Sequence, residues 1–134
     1  MGEQPGRGPV RVLLVDDEDT YRETLAKVLR RRGMDVATAG GGSEGLDRLR
    51  ERAPDVVVLD LRMPGQDGLA TLKEIRRHGP GVRVVILTGH GTAEAGMEAI
   101  RDEAFDFLLK PVVVDRLVEV IEAAAAEARR PRGG

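Results

Sequence analysis

Polar residues with chemical potential stand where apolar runs stop. Asp16 and Asp17 follow residues 10–15, Asp60 follows 56–59, Thr88 follows 82–87, and Lys110 follows 105–109. Two carboxylates about 4 Å apart repel by roughly 4 kcal/mol at an effective dielectric of 20. Neighbouring acids therefore call for a cation. With no His or Cys among them, zinc is disfavoured and a hard, oxygen-seeking ion is favoured. Mg²⁺ fits, since it keeps several waters and is held by one or two carboxylates plus a phosphate. On this reading Asp17 and Asp60 ligate the ion, directly or through water, while Asp16 orients its water shell. Lys110 and the Thr88 hydroxyl remain as donors to an anion beside it. A metal, an ammonium, a hydroxyl and a carboxylate nucleophile are the equipment of phosphoryl transfer.

Those residues can meet only if the apolar runs lie side by side. The runs at 10–15, 34–39, 56–59, 82–87 and 105–109 read as strands. Between them, Tyr21, Leu25, Val28 and Leu29, then Leu46 and Leu49, then Leu69, Leu72 and Ile75, recur at helical spacing. Residues 92–101 form a shorter helix weakened by Gly96, and Leu117, Val120, Ile121 and Ala124 mark the last. Five strands alternating with five helices predict a doubly wound α/β domain with a parallel sheet covered on both faces. The first, third and fourth strands are almost wholly apolar, as that burial requires. The second carries Asp35 and Thr38 and reads as an edge. Ligands of such sheets bind beyond the carboxyl ends of the strands, where strand order reverses.

Each residue alone has a plainer explanation. Acids at a helix start favour its dipole; Asp17 or Asp19 could cap the first helix, and Thr20 and Glu23 have capping-box spacing. Asp60 ahead of Pro64 and Gly65 could open a turn, Thr88-Gly89 is ordinary turn chemistry, and Lys110 could be a solvated strand end. Their recurrence at one rim outweighs these readings.

Composition narrows the rest. The 134 residues suit one domain, and 41% hydrophobic with 33% charged residues indicates a globular chain. Aromatics at 2% leave no platform for base stacking, and a net charge of -2 gives no footprint for nucleic acid or an anionic membrane. Cysteine is absent, so thiolate chemistry is excluded. With no spanning apolar run and no signal-peptide pattern, a cytoplasmic location is expected. Residues 1–8 and 129–134 read as flexible ends around a domain over 9–128.

These motifs together resemble the receiver domain of two-component response regulators. The resemblance rests on Val15-Asp16-Asp17-Glu18, Asp60-Leu61-Arg62-Met63-Pro64 with Asp67-Gly68, Leu87-Thr88-Gly89-His90, and Asp106-Phe107-Leu108-Leu109-Lys110-Pro111. It implies a flavodoxin-like sheet of order 2-1-3-4-5. It implies further that Asp60 accepts a phosphoryl group from a sensor histidine kinase or phosphotransfer protein. Asp16, Asp17, Asp60 and the Arg62 backbone carbonyl would hold Mg²⁺, Lys110 would pair with phosphoryl oxygens, and Thr88 would move to bond one of them. Phe107 corresponds to the switch aromatic, here without a hydroxyl. The Lys110-Pro111 peptide is cis in the family. Arg62 and His90 occupy positions that tune phosphoaspartate lifetime, and the activity implied is self-phosphorylation and autodephosphorylation. The face formed by the fourth helix, fifth strand and fifth helix would contact a downstream protein, an output domain or a second copy. The stretches around Thr88 and Phe107 are similar to receivers of nitrogen-regulator-type transcription factors, so both a stand-alone regulator and an excised receiver fit.

One departure bears on geometry. Arg101-Asp102-Glu103-Ala104 replaces a segment in which relatives carry Gly, and a turn needing positive φ would be strained at Glu103. Two rival functions fit parts of the sequence. Gly40, Gly42 and Gly45 satisfy a dinucleotide fingerprint, but after a polar, edge-like strand and with no work for Asp16, Asp17, Thr88 and Lys110. A receiver-fold interaction domain without phosphorylation is the other.

Overall fold

The computed structural model describes residues 8–61, 68–89 and 103–130. Its strands are β1 (Arg11–Val15), β2 (Asp35–Ala39), β3 (Val56–Leu59), β4 (Arg83–Thr88) and β5 (Asp106–Leu109). They pair in parallel in the order β2-β1-β3-β4-β5, the order that the resemblance implies. Helices α1 (Asp19–Arg31), α2 (Gly42–Glu51) and α3 (Gly68–His78) and a C-terminal helix (Val114–Ala128) supply the crossovers and cover. The helix expected over 92–101 lies outside the described residues.

Strand alternation sorts the core into two layers. Val12, Leu14, Val58, Val85 and Leu87 face α1 and the C-terminal helix, where Leu25, Leu29, Leu117 and Ile121 meet them. Leu13, Val15, Val57, Leu59, Val84 and Ile86 face α2 and α3 through Leu49, Leu72 and Ile75. Most of these side chains are fully buried, and each such burial contributes about 1.5–3 kcal/mol. β2 is the predicted edge, with Asp35 and Ala37 exposed.

Two glycines answer to specific geometry. Gly33 has φ of 88°, a left-handed residue that ends α1 and turns the chain into β2. At Gly45 an added Cβ would stand 3.1 Å from a Val15 methyl, so its absence lets α2 lie close on β1. The strain anticipated at Glu103 is absent: among the described residues no non-glycine has positive φ, and Glu103 ion-pairs with Arg76 at 3.0 Å.

Candidate functional site: an acidic rim around Asp60

The ladder hydrogen bonds continue one residue past the strands and fix the rim. Asp16 N–H donates to the Ala39 carbonyl at 3.0 Å, Asp60 N–H to Val15 at 3.0 Å, and Lys110 N–H to Thr88 at 2.8 Å. Because β1 and β3 are neighbours, Asp16, Asp17 and Asp60 can each present a carboxylate oxygen within 4.8 Å of the others. Asp16 is 1% and Asp60 4% exposed. An all-oxygen donor set of this kind suits a hard divalent cation and could hold one.

Donors reach Asp60 on both oxygens. The Thr88 hydroxyl donates to Oδ1 at 3.0 Å, and Lys110 Nζ donates to Oδ2 at 3.3 Å. Lys110 also donates to Asp16 Oδ2 at 2.7 Å and to Glu18 Oε1 at 3.0 Å. Its side chain is 11% exposed, so it is not a solvated strand-end charge. The Lys110-Pro111 peptide is cis, as the resemblance implies.

Among the described residues, the carboxylates at the rim outnumber the ammonium that bonds them. One ammonium is shared by Asp16, Glu18 and Asp60, with Asp17 adjoining. Burial raises the Asp16 pKa above the usual carboxylate range, more than the Lys110 ammonium and the Glu18 N–H lower it. Burial lowers the Lys110 pKa in turn, but bonds to Asp16 and Glu18 outweigh this and hold it well above an ordinary lysine. The lysine therefore stays charged, and ionised Asp16 carries a cost that a second cation would offset.

The capping explanation of the acids is not realised. Glu18 is the N-cap of α1 and makes no side-chain cap bond, so the Thr20–Glu23 capping box does not form. Asp19 and Glu23 pair with Arg22, whose Nη1 also donates to the Asp16 carbonyl at 2.8 Å. The Asp16 carboxylate accepts from Glu18 N–H at 2.9 Å.

Of the residues predicted from sequence, Asp16, Asp17, Asp60, Thr88 and Lys110 come together here. Phe107 is half-buried on the same sheet face as Thr88, packed on the Leu13–Ile86 layer. Arg62 and His90 lie outside the described residues. Sequence reasoning missed the contacts of Glu18 and Tyr21 with Lys110. Tyr21 was read only as a member of a helical stripe, yet Lys110 Nζ lies 4.4 Å from the centre of its ring. The available signal was an aromatic in the first turn of α1, beside the rim, in a chain nearly devoid of aromatics.

At Gly40 the geometry counts against a dinucleotide site. The Gly40 N–H at the mouth of α2 already donates to Glu44 Oε1 at 2.8 Å, so a carboxylate stands where a pyrophosphate would bind. The preceding strand, β2, is an edge strand, whereas the acids flank the reversal between β1 and β3.

A parallel sheet whose order reverses beside a buried acidic rim defines a doubly wound α/β domain, the kind whose ligands bind at that crevice. The family model of the response regulator receiver domain matches residues 12–122, and the chain belongs to that family. It is 40% identical over 92% of its length to the transcriptional regulatory protein ZraR of Salmonella typhimurium. It is 39% identical over 90% of its length to the DNA-binding transcriptional regulator NtrC of Escherichia coli K12. The chain spans 28% and 26% of those two proteins. Among solved structures, the receiver domain of NtrX from Brucella abortus is 40% identical with a TM-score of 0.78, covering 86% of this chain and 98% of that one. A receiver domain protein from Clostridium thermocellum superposes with a TM-score of 0.80 at 35% identity, covering 87% and 94%. The chain is thus a receiver domain of the two-component response regulators. Among the described residues, no helix is long and apolar enough to cross a membrane.

Proposed function

We propose that this domain is a Mg²⁺-dependent phosphoacceptor, with Asp60 taking a phosphoryl group from the histidine of a sensor kinase or phosphotransfer protein. The observation that carries this is the position of Asp60: buried, between the Thr88 hydroxyl and the Lys110 ammonium, and within 4.8 Å of Asp16 and Asp17. An Asp60 oxygen attacks phosphorus, the P–N bond breaks, and the imidazole leaves as an acyl phosphate forms. Asp16, Asp17 and Asp60, with the Arg62 carbonyl, would hold Mg²⁺, which when bound neutralises charge on the transferring phosphoryl group. Lys110 pairs with an equatorial oxygen, and Thr88 donates to another. The same groups support self-phosphorylation from small phosphodonors and autodephosphorylation.

Phosphorylation adds charge beside Thr88. Movement of Thr88, with Phe107 repacking on the same sheet face, then alters the surface around β5 and the C-terminal helix. Inverting a 1:99 population to 99:1 takes about 5.5 kcal/mol of preference for the active state. That surface would engage an output module, a separate target or a second copy. The likeness to ZraR and NtrC, transcriptional regulators more than three times as long, favours transcriptional output. We assign residues 9–128 to the phosphoacceptor unit, 1–8 and 129–134 to its flanks, and the protein to the cytoplasm.

Acetyl phosphate with Mg²⁺, read by intact mass, tests the assignment. One phosphoryl group is expected on the wild type and none on Asp60→Asn or in excess chelator. Equal labelling of Asp60→Asn would overturn it.

A further inference from the structure

The ammonium of Lys110 has a contact that neither charge pairing nor phosphoryl chemistry requires. Its three acidic partners Asp16, Glu18 and Asp60 lie at 2.7, 3.0 and 3.3 Å, and the Tyr21 ring is centred 4.4 Å away. That distance is within the roughly 6 Å at which a ring quadrupole attracts a cation. The ring is itself fixed: it is half-buried and packed against the layer that holds Leu25, Leu14 and Leu117. Glu18, by contrast, has a side chain 64% exposed. A flexible four-carbon stem could follow Glu18 outward, away from Asp60. The ring is a half-buried wall beside the ammonium.

We propose that Tyr21 is a positioning residue for phosphoryl acceptance, its ring holding the Lys110 ammonium over the Asp60 side of the pocket. This role rests on the reading of Asp60 as phosphoacceptor. The phenol hydroxyl has no part in it; the aromatic face does. Phenylalanine should therefore substitute, and leucine, apolar but without a quadrupole, should not.

The experiment compares phosphorylation by acetyl phosphate in wild type, Tyr21→Phe and Tyr21→Leu across a Mg²⁺ titration. Tyr21→Phe is expected within about twofold of wild type, and Tyr21→Leu about tenfold slower at saturating metal. The Mg²⁺ concentration for half effect should hold steady, because Tyr21 supplies no metal ligand. Combined with Lys110→Ala, Tyr21→Leu should cause no further slowing. A purely structural loss would persist in that background, and its persistence would overturn the proposal. Equal rates for Tyr21→Leu and wild type would also overturn it, leaving the phosphoacceptor reading intact. An unlabelled wild type would overturn both. A second readout needs no phosphodonor. The chain has one tyrosine and no tryptophan, so its emission reports this ring alone. Lys110→Ala is expected to change that emission, and an unchanged spectrum would overturn the contact.

Discussion

Opposite ends of the sheet use the same ingredients to different ends. At the amino ends of the strands, Asp55 accepts from Arg11 N–H at 2.9 Å and from Arg129 Nη2 at 2.8 Å. Arg129 also donates to the Gly8 and Pro9 carbonyls at 2.9 Å each. One carboxylate there meets one guanidinium, and its two Nη groups also reach backbone oxygens, while the buried Nε finds no partner among the described residues. At the carboxyl ends, one ammonium serves three carboxylates with a fourth alongside. The first arrangement matches charge one to one. The second, among the described residues, sets four carboxylates against one ammonium, a donor set that could hold a further cation.

Substitutions at the two ends should therefore respond differently to metal. Lys110→Met leaves buried acids without their ammonium and is expected to lower stability by about 2–4 kcal/mol in metal-free urea denaturation, with much of the loss restored by Mg²⁺. For the wild type, Mg²⁺ at 100 times its dissociation constant should add about 2.7 kcal/mol. A midpoint that ignores Mg²⁺ would remove the contrast between the two ends. Asp55→Ala is expected to cost about 1–2 kcal/mol, equally with and without Mg²⁺. Asp17→Asn has the opposite sign: relief of repulsion should raise metal-free stability by about 0.5–1 kcal/mol while the gain from Mg²⁺ shrinks. Least of all, Arg32→Gln, which removes an exposed partner of Asp115, should shift stability by no more than about 0.5 kcal/mol.

The acidic end was the more legible in sequence, for a physical reason. Doubly covered parallel strands must be continuous apolar runs, so residues such as 56–59 announce themselves, and whatever polar residue stops each run is placed at the rim by parallelism. Asp16, Asp17, Asp60 and Thr88 follow from that rule; Lys110 follows the less buried run of the edge strand β5. The edge position of β2 followed from Asp35 and Thr38. Contacts made from α1 did not follow. Tyr21 satisfies the helical stripe whether or not its ring meets Lys110, and Glu18 looks the same as a cap or as a lysine partner. The spacing of Thr20 and Glu23 fits a capping box, but the helix starts two residues too early for it, with Glu18 as its N-cap. Arg129 was still less visible. Its partners Gly8, Pro9 and Asp55 are scattered along the chain, and no periodicity predicts a guanidinium joining them.

That guanidinium fixes a distance. Strands of four to six residues at about 3.3 Å each put it roughly 15 Å from the acids. News of chemistry at Asp60 therefore cannot reach Arg129 by touch. On the proposed function it would have to be relayed by whole elements sliding or tilting, and the C-terminal helix, held at its far end by this residue, spans the gap.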